Sequence, residues 1–251
     1  MPLPIFIPLT IGILGGMGPA ATVDLFDRIV RATPAQRDQD HIPLLIVNDP
    51  AIPDRTQAIL HGGEDPTLRL RAGIEKLAAM GADCVAIPCN TAHYYLPLLS
   101  ETAAIPLLDM IDETVAAVRR SYPTVERVGV LATSGTLAVG LYQNGLKAAG
   151  LTPVEPTPVE IERMMDAIYG PRGVKTAGVT AEARAGLQAV GQALIDRGAQ
   201  ALILGCTEIP LALHDGDLHD GDLHDGDLSV PLIASNQCLA EAAVRVALKG
   251  L

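Results

Sequence analysis

Tryptophan is absent, and aromatic residues make up only 3% of the 251 residues. Little is left from which to build a base-stacking platform or an aromatic cage. Basic residues are also scarce: 18 Lys and Arg stand against 29 Asp and Glu, for a net charge of -11. No basic patch interrupts that excess, so neither nucleic acid nor an anionic membrane surface is expected as a partner. No run reaches the 18 or so apolar residues of a membrane span. The apolar start, MPLPIFIPLT, has neither a basic n-region nor a small-residue cleavage site, so a cytoplasmic location is expected. The four cysteines, Cys84, Cys89, Cys206 and Cys238, lack the dense spacing of a disulfide scaffold. Cys84 and Cys89 have no second ligand pair, which argues against a structural zinc site. The early glycines, GILGGMG, do not form GxGxxG, and no GKS or GKT follows, so no nucleotide cofactor is expected. No metal is expected either.

What is present is a repetition. Residues 81–93 read GADCVAIPCNTAH, and residues 198–210 read GAQALILGCTEIP. In each, a turn glycine leads into an apolar run that ends in a cysteine followed by hydrogen-bonding residues. Cys89 and Cys206 are 117 positions apart, and so are the runs IGIL from Ile11 and VGVL from Val128. Two segment pairs with one offset mark an internal duplication. A third pair, IPLL from Ile105 and VPLI from Val230, has an offset of 125. The extra eight positions fall where residues 214–228 carry three copies of HDGDL. Glycine in each copy and the lack of apolar periodicity favour a solvated loop over a metal-binding tract.

Short apolar runs alternate with segments of helical spacing. Strands are expected at 10–14, 41–47, 84–87, 105–109, 127–131, 151–154 and 201–204, with helices at 20–31, 67–80, 91–99, 111–120, 137–148, 161–168, 181–197 and 240–248. That pattern implies parallel sheets covered by helices, with ligands at the carboxyl ends of the strands. Residues 1–115 plus about 230–251 are assigned to a first lobe. Residues 116–229, including the HDGDL loop, are assigned to a second.

Cys84 and Cys238 read as small buried hydrophobes. Cys89 and Cys206 read differently, because each ends a strand and is followed by polar residues at a helix start, where N–H groups favour a thiolate. Inverting a carbon next to a carboxylate needs a base on one face and a proton donor on the other. Two equivalent thiols on the two sides of a pseudo-symmetric cleft meet that need. A disulfide between them, or a single nucleophilic cysteine with His93 as its base, are the rival readings. Arg55 follows a strand end as either a surface charge or a carboxylate clamp, and Lys175 follows the Gly170–Pro171 break. Asn90, Thr91 and Thr207 offer short hydrogen-bonding groups or helix caps. Met17 and Gly18 are candidates for the cleft floor, and Glu208 for a contact with substrate. Asp49 either orients Arg55 or ends a strand.

Four segments, GILGGMGPAAT at 12–22, NDPAIPDRT at 48–56, PCNTAH at 88–93 and LGCTEIPL at 204–211, resemble the aspartate/glutamate racemase superfamily, most closely its aspartate racemase-like branch. The resemblance implies two pseudo-symmetric Rossmann-like α/β lobes with the active site in the cleft between them, and commonly a homodimer. It implies cofactor-independent, two-base racemisation of a small acidic amino acid, with aspartate ahead of glutamate. The paired cysteines of that group match Cys89 and Cys206, its carboxylate-binding arginine matches Arg55, and its second-lobe lysine matches Lys175. Hydantoin racemisation, a decarboxylation, and a non-catalytic protein that binds acidic amino acids are the alternatives.

Overall fold

The computed structural model describes residues 8–213 and 228–250. The first lobe begins with β1 (Ile11–Gly15), α1 (Pro19–Ala32) and β2 (Leu44–Asn48). It continues through α2 (Arg55–His61), α3 (Thr67–Ala79), β3 (Cys84–Ala86), a 3-10 turn at Thr91–Tyr95, α4 (Leu96–Ser100) and α5 (Met110–Ser121). The second pass runs β4 (Arg127–Ala132), α6 (Ser134–Ala138), α7 (Leu141–Ala148), β5 (Thr152–Val154), α8 (Pro158–Tyr169), α9 (Val174–Ala177) and α10 (Ala181–Asp196). It closes with β6 (Ala201–Gly205), α11 (Ile209–Ala212), β7 (Leu232–Ala234) and α12 (Ser235–Lys249). Residues 214–227 of the HDGDL copies lie outside the described residues. Among the described residues, no helix is long and apolar enough to cross a membrane.

Two parallel sheets result, in the orders β2-β1-β3 and β5-β4-β6-β7. Their registers repeat the duplication. Ile11, Gly12 and Ile13 pair with Cys84, Val85 and Ala86, and Val128, Gly129 and Val130 pair with Ala201, Leu202 and Ile203. Every partner in the second set is displaced by the same 117 positions. The expected strand at 105–109 is reduced to one bridge, Val85 to Leu107, whose counterpart is the Leu202–Leu232 pair of β7. In both places a proline carbonyl, Pro106 or Pro231, accepts the neighbouring strand's N–H. The first copy stops there because Asp109 caps α5 at once, accepting from Ile111 N at 2.8 Å and Asp112 N at 3.1 Å.

The inner strands β1 and β6 are buried along their whole length, as parallel strands covered on both faces must be. Side-chain alternation sends Ile11, Ile13, Cys84 and Ala86 into one core layer and Leu14, Val85 and Ile87 into another. The chain crosses between the lobes at its end. The strand β7 belongs to the second sheet, whereas Leu239, Ala240 and Ala243 of α12 pack in the core of the first. The helix expected at 137–148 is two helices, because Gly140 adopts a left-handed φ of 70° at the start of α7.

Candidate active site

Strand ends supply the site. After β1 the chain turns at Gly16, whose φ of 101° and contact with the Asp49 backbone leave no room for a side chain. That turn presents the Met17 carbonyl, which accepts from Arg55 Nη2 at 3.0 Å and from Lys175 Nζ at 3.2 Å. The two cations therefore arrive from opposite lobes at one oxygen. Arg55 is not in a loop but is the first residue of α2, with Asp54 as N-cap accepting from Gln57 N at 2.7 Å. Its Nη1 donates to the Pro53 carbonyl at 2.9 Å, and its buried Nε has no partner among the described residues. Asp49 does not orient it, since that carboxylate accepts from Ala51 N and faces Arg69. Lys175 sits in the single turn α9 rather than a loop, 5.5 Å above the Tyr169 ring.

Cys89 and Cys206 line the same cavity, together with Met17, Arg55, Asn90, Thr91, Lys175, Thr207 and Glu208. Both thiols are free, so they are not joined in a disulfide. The strand ends that carry them are tied together, since Thr207 Oγ1 reaches the Pro88 carbonyl at 3.4 Å. The cavity is tight, with a volume of about 10 Å³, enough for about one water. Each cysteine is followed by only one short helical turn, so the helix dipole contributes little. Burial alone disfavours the Arg55 cation, but the Cys89 sulfur and then Tyr169 outweigh it and hold the group above its ordinary value. Lys175 is likewise held up, against burial, by Glu208 and Cys206. Cys206 keeps its proton well above the ordinary thiol range, through burial first and then the Glu208 carboxylate, with Lys175 opposing.

The expected hydrogen-bonding residues are mostly engaged across the lobes. Asn90 accepts from Tyr142 OH and donates to Ser235 Oγ at 3.0 Å, so its amide bridges three segments. The Thr91 hydroxyl meets those of Thr133 at 3.0 Å and Thr136 at 2.9 Å. Gly18 N donates to Glu208 Oε1 at 3.2 Å, and a side chain at position 18 would press on that oxygen. His93 cannot serve as the base for Cys89. Its Nδ1 is bonded to the Cys89 carbonyl at 2.9 Å, and Met110 N donates to its Nε2 at 3.0 Å. Cys84 and Cys238 are buried away from the site, with burial pushing their thiols up to about 11 and about 12.

Two further lining residues, Thr133 and Tyr169, lie outside the motif segments and are not among the candidates picked from the sequence. Thr133 was findable, because it stands 117 positions after Gly16 at the matching strand end. Tyr169 carries no motif; only its position just ahead of the Gly170–Pro171 break hints at it. Among the described residues, no cluster of three or more His, Cys, Asp or Glu is gathered to hold a metal.

The Asp/Glu/Hydantoin racemase family matches residues 14–243. The broad specificity amino-acid racemase RacX of Bacillus subtilis is 27% identical over 243 residues, covering 93% of this chain and 96% of that protein. Among solved structures, an aspartate racemase of Picrophilus torridus superposes with a TM-score of 0.78 at 29% identity, over 95% of this chain and 94% of the other. Glutamate racemase from Francisella tularensis, solved with D-glutamate, shares the fold with a TM-score of 0.64 at 18% identity, over 94% of this chain and 79% of the other.

Proposed function

Because the chain belongs to the Asp/Glu/hydantoin racemase family, we propose that it inverts the α-carbon of a small acidic amino acid, with Cys89 and Cys206 as its two bases and aspartate preferred over glutamate. The observation that carries this reading is the cavity lined by both thiols, each at the same position of a duplicated sheet.

Arg55 and Lys175 now share the Met17 carbonyl, and an incoming carboxylate is a better acceptor for both than a neutral amide oxygen. The unpartnered Arg55 Nε adds a second arm for a bidentate grip. With the carboxylate fixed, one sulfur removes the α-proton as thiolate. The other, as thiol, returns a proton to the opposite face, and the reverse reaction exchanges the roles. The cations stabilise charge that develops on the carboxylate as the α-carbon becomes planar. This sequence of steps needs no cofactor. A cavity with room for about one water must widen to admit an amino acid.

The preference for aspartate is supported by the likeness to the Picrophilus torridus aspartate racemase. A broader range of substrates is the second reading, favoured by the likeness to the Bacillus subtilis broad specificity racemase. One assay tests both. Incubation in deuterated solvent with L- and D-aspartate, glutamate and a neutral amino acid is expected to show inversion with deuterium at the α-carbon, fastest for aspartate. Cys89→Ala and Cys206→Ala are each expected to lower turnover at least about a thousandfold while circular dichroism is unchanged. Racemisation at the unaltered rate by either variant would refute the paired roles, and neutral substrates reacting as fast as aspartate would favour the second reading.

A further inference from the structure

The two thiols occupy matched places in the duplication, but their neighbours do not match. Beside Cys89 stands a cation, Arg55. Beside Cys206 stands an anion. Cys206 Sγ donates to Glu208 Oε2 at 3.2 Å, and Glu208 is only 3% exposed. Lys175 Nζ at 2.6 Å and Gly18 N at 3.2 Å meet Oε1, and Cys206 Sγ at 3.2 Å meets Oε2, with the Thr207 hydroxyl, whose one proton also faces the Pro88 carbonyl, at 3.3 Å. A carboxylate accepts from such converging donors without offering one of its own. At the matching place after Cys89, Asn90 and Thr91 are neutral and turned toward the seam between the lobes.

We propose that Glu208 assigns the roles of the two thiols, holding Cys206 as the proton donor in the free enzyme and leaving Cys89, beside Arg55, to act first as base. The inference rests on the two-thiol reading and adds a direction to it. Ionising Cys206 in place would set a thiolate against a carboxylate at hydrogen-bond distance, with Lys175 alone to offset them. In the first half-reaction the α-proton passes to Cys89 and the proton on Cys206 passes to the other face of the carbon. The enzyme then holds a Cys89 thiol and a Cys206 thiolate. It resets when Cys206 takes a proton from solvent and Cys89 loses one. The groups facing Cys206 are Glu208, Lys175 of α9 and Tyr169 at the end of α8, with Arg55 and Cys89 across the cavity. Glu208 acts here through Cys206 and is a positioning residue.

The test is a pH titration of thiolate absorbance, with the tyrosinate contribution subtracted by its longer-wavelength band. In Cys89→Ala protein Cys206 is the one thiol left among the residues lining the site, and burial pushes the Cys84 and Cys238 thiols up to about 11 and about 12. No thiolate is expected there through the ordinary thiol range near pH 8.5. Adding Glu208→Gln, which keeps the shape and removes the charge, is expected to bring the Cys206 transition down by at least about one pH unit, a tenfold change in ionisation. A transition near 8.5 in Cys89→Ala overturns the proposal, even if the double variant fails to fold. So does a Cys206 transition that Glu208→Gln leaves in place.

A kinetic readout separates this role from a merely structural one. The equilibrium constant of a racemisation is unity, so kcat/KM is equal for the two enantiomers whatever the variant. The ratio of the two kcat values is free to move, and Glu208→Gln is expected to shift it about tenfold, whereas a packing defect lowers both rates together. The titration needs no turnover, so a chain that fails to racemise yet titrates as expected loses the functional reading and the thiol roles built on it, and keeps only the hold of Glu208 on the Cys206 proton.

Discussion

At the scale of single residues the site is governed by charge held out of water. Arg55 is buried and donates mostly to backbone carbonyls, a geometry that depends on the planar fork of a guanidinium. Arg55→Lys keeps the charge and loses the fork, so kcat/KM for aspartate is expected to fall roughly ten- to hundredfold in steady-state assays. His93 follows a different logic. Its Nε2 must be bare to accept from Met110 N, and burial holds its pKa below the ordinary 6.5. A group that binds its proton less readily when folded favours the unfolded chain once pH drops below the unfolded value. Denaturant unfolding is therefore expected to show stability falling from about pH 7 to 5, with a shallower fall in His93→Asn. An equally steep fall in that variant would remove His93 from the account.

Among the elements, α8 deserves its own test because it ends at Tyr169, over which Lys175 lies. A capping box starts this helix: Thr157 N donates to Glu160 Oε2 at 2.8 Å, and Glu160 N donates to Thr157 Oγ1 at 3.4 Å. Arg197, at the end of α10, grips the same carboxylate at 2.8 and 2.7 Å. The arginine is the main reason that Glu160 is held down at about 2 from an ordinary 4.5. Glu160→Ala is expected to cost about 1–2 kcal/mol by chemical denaturation, a modest figure because solvent screens the pair. The stabilisation from a lowered carboxylate is complete above pH 4.5 and is lost as pH falls through about 2. The difference between the two proteins should shrink over that window. A constant difference would show that the charge contributes nothing.

Across the whole molecule, a buried polar seam between the lobes links the segments that carry the thiols. Tyr142 of α7 donates to Asn90, which donates to Ser235 at the start of α12, and Ser235 donates to the Leu204 carbonyl at 3.0 Å. This chain links the segment after Cys89 to the strand that leads into Cys206. Tyr142→Phe leaves the Asn90 oxygen buried without its donor, at a cost of about 1–3 kcal/mol in unfolding experiments. Its kcat is expected to fall more than its KM rises, because the proposed carboxylate clamp, Arg55 and Lys175, lies elsewhere. The reverse pattern, with KM alone affected, would place the seam's influence on binding instead.

Much of this was legible in the chain. Periodicity gave most helices, and the 117-residue offset anticipated the strand register, because a duplicated apolar pattern can bury its side chains in only one pairing. The strand-end cysteines could be picked out as residue types at positions where ligands collect, whereas the two basic residues stand out chiefly through the resemblance to the racemase superfamily. Spacing gave no sign that one amide and three threonines would tie the lobes together. Nor could it show that Glu208 would turn its carboxylate onto Cys206, or that His93 would spend both nitrogens on backbone. Those outcomes depend on which donors and acceptors meet when segments far apart in sequence close around the same few ångströms. Local pattern determines which face of a strand is apolar. Only the packed structure decides which polar group finds a partner there, because burial makes every unpaired one costly.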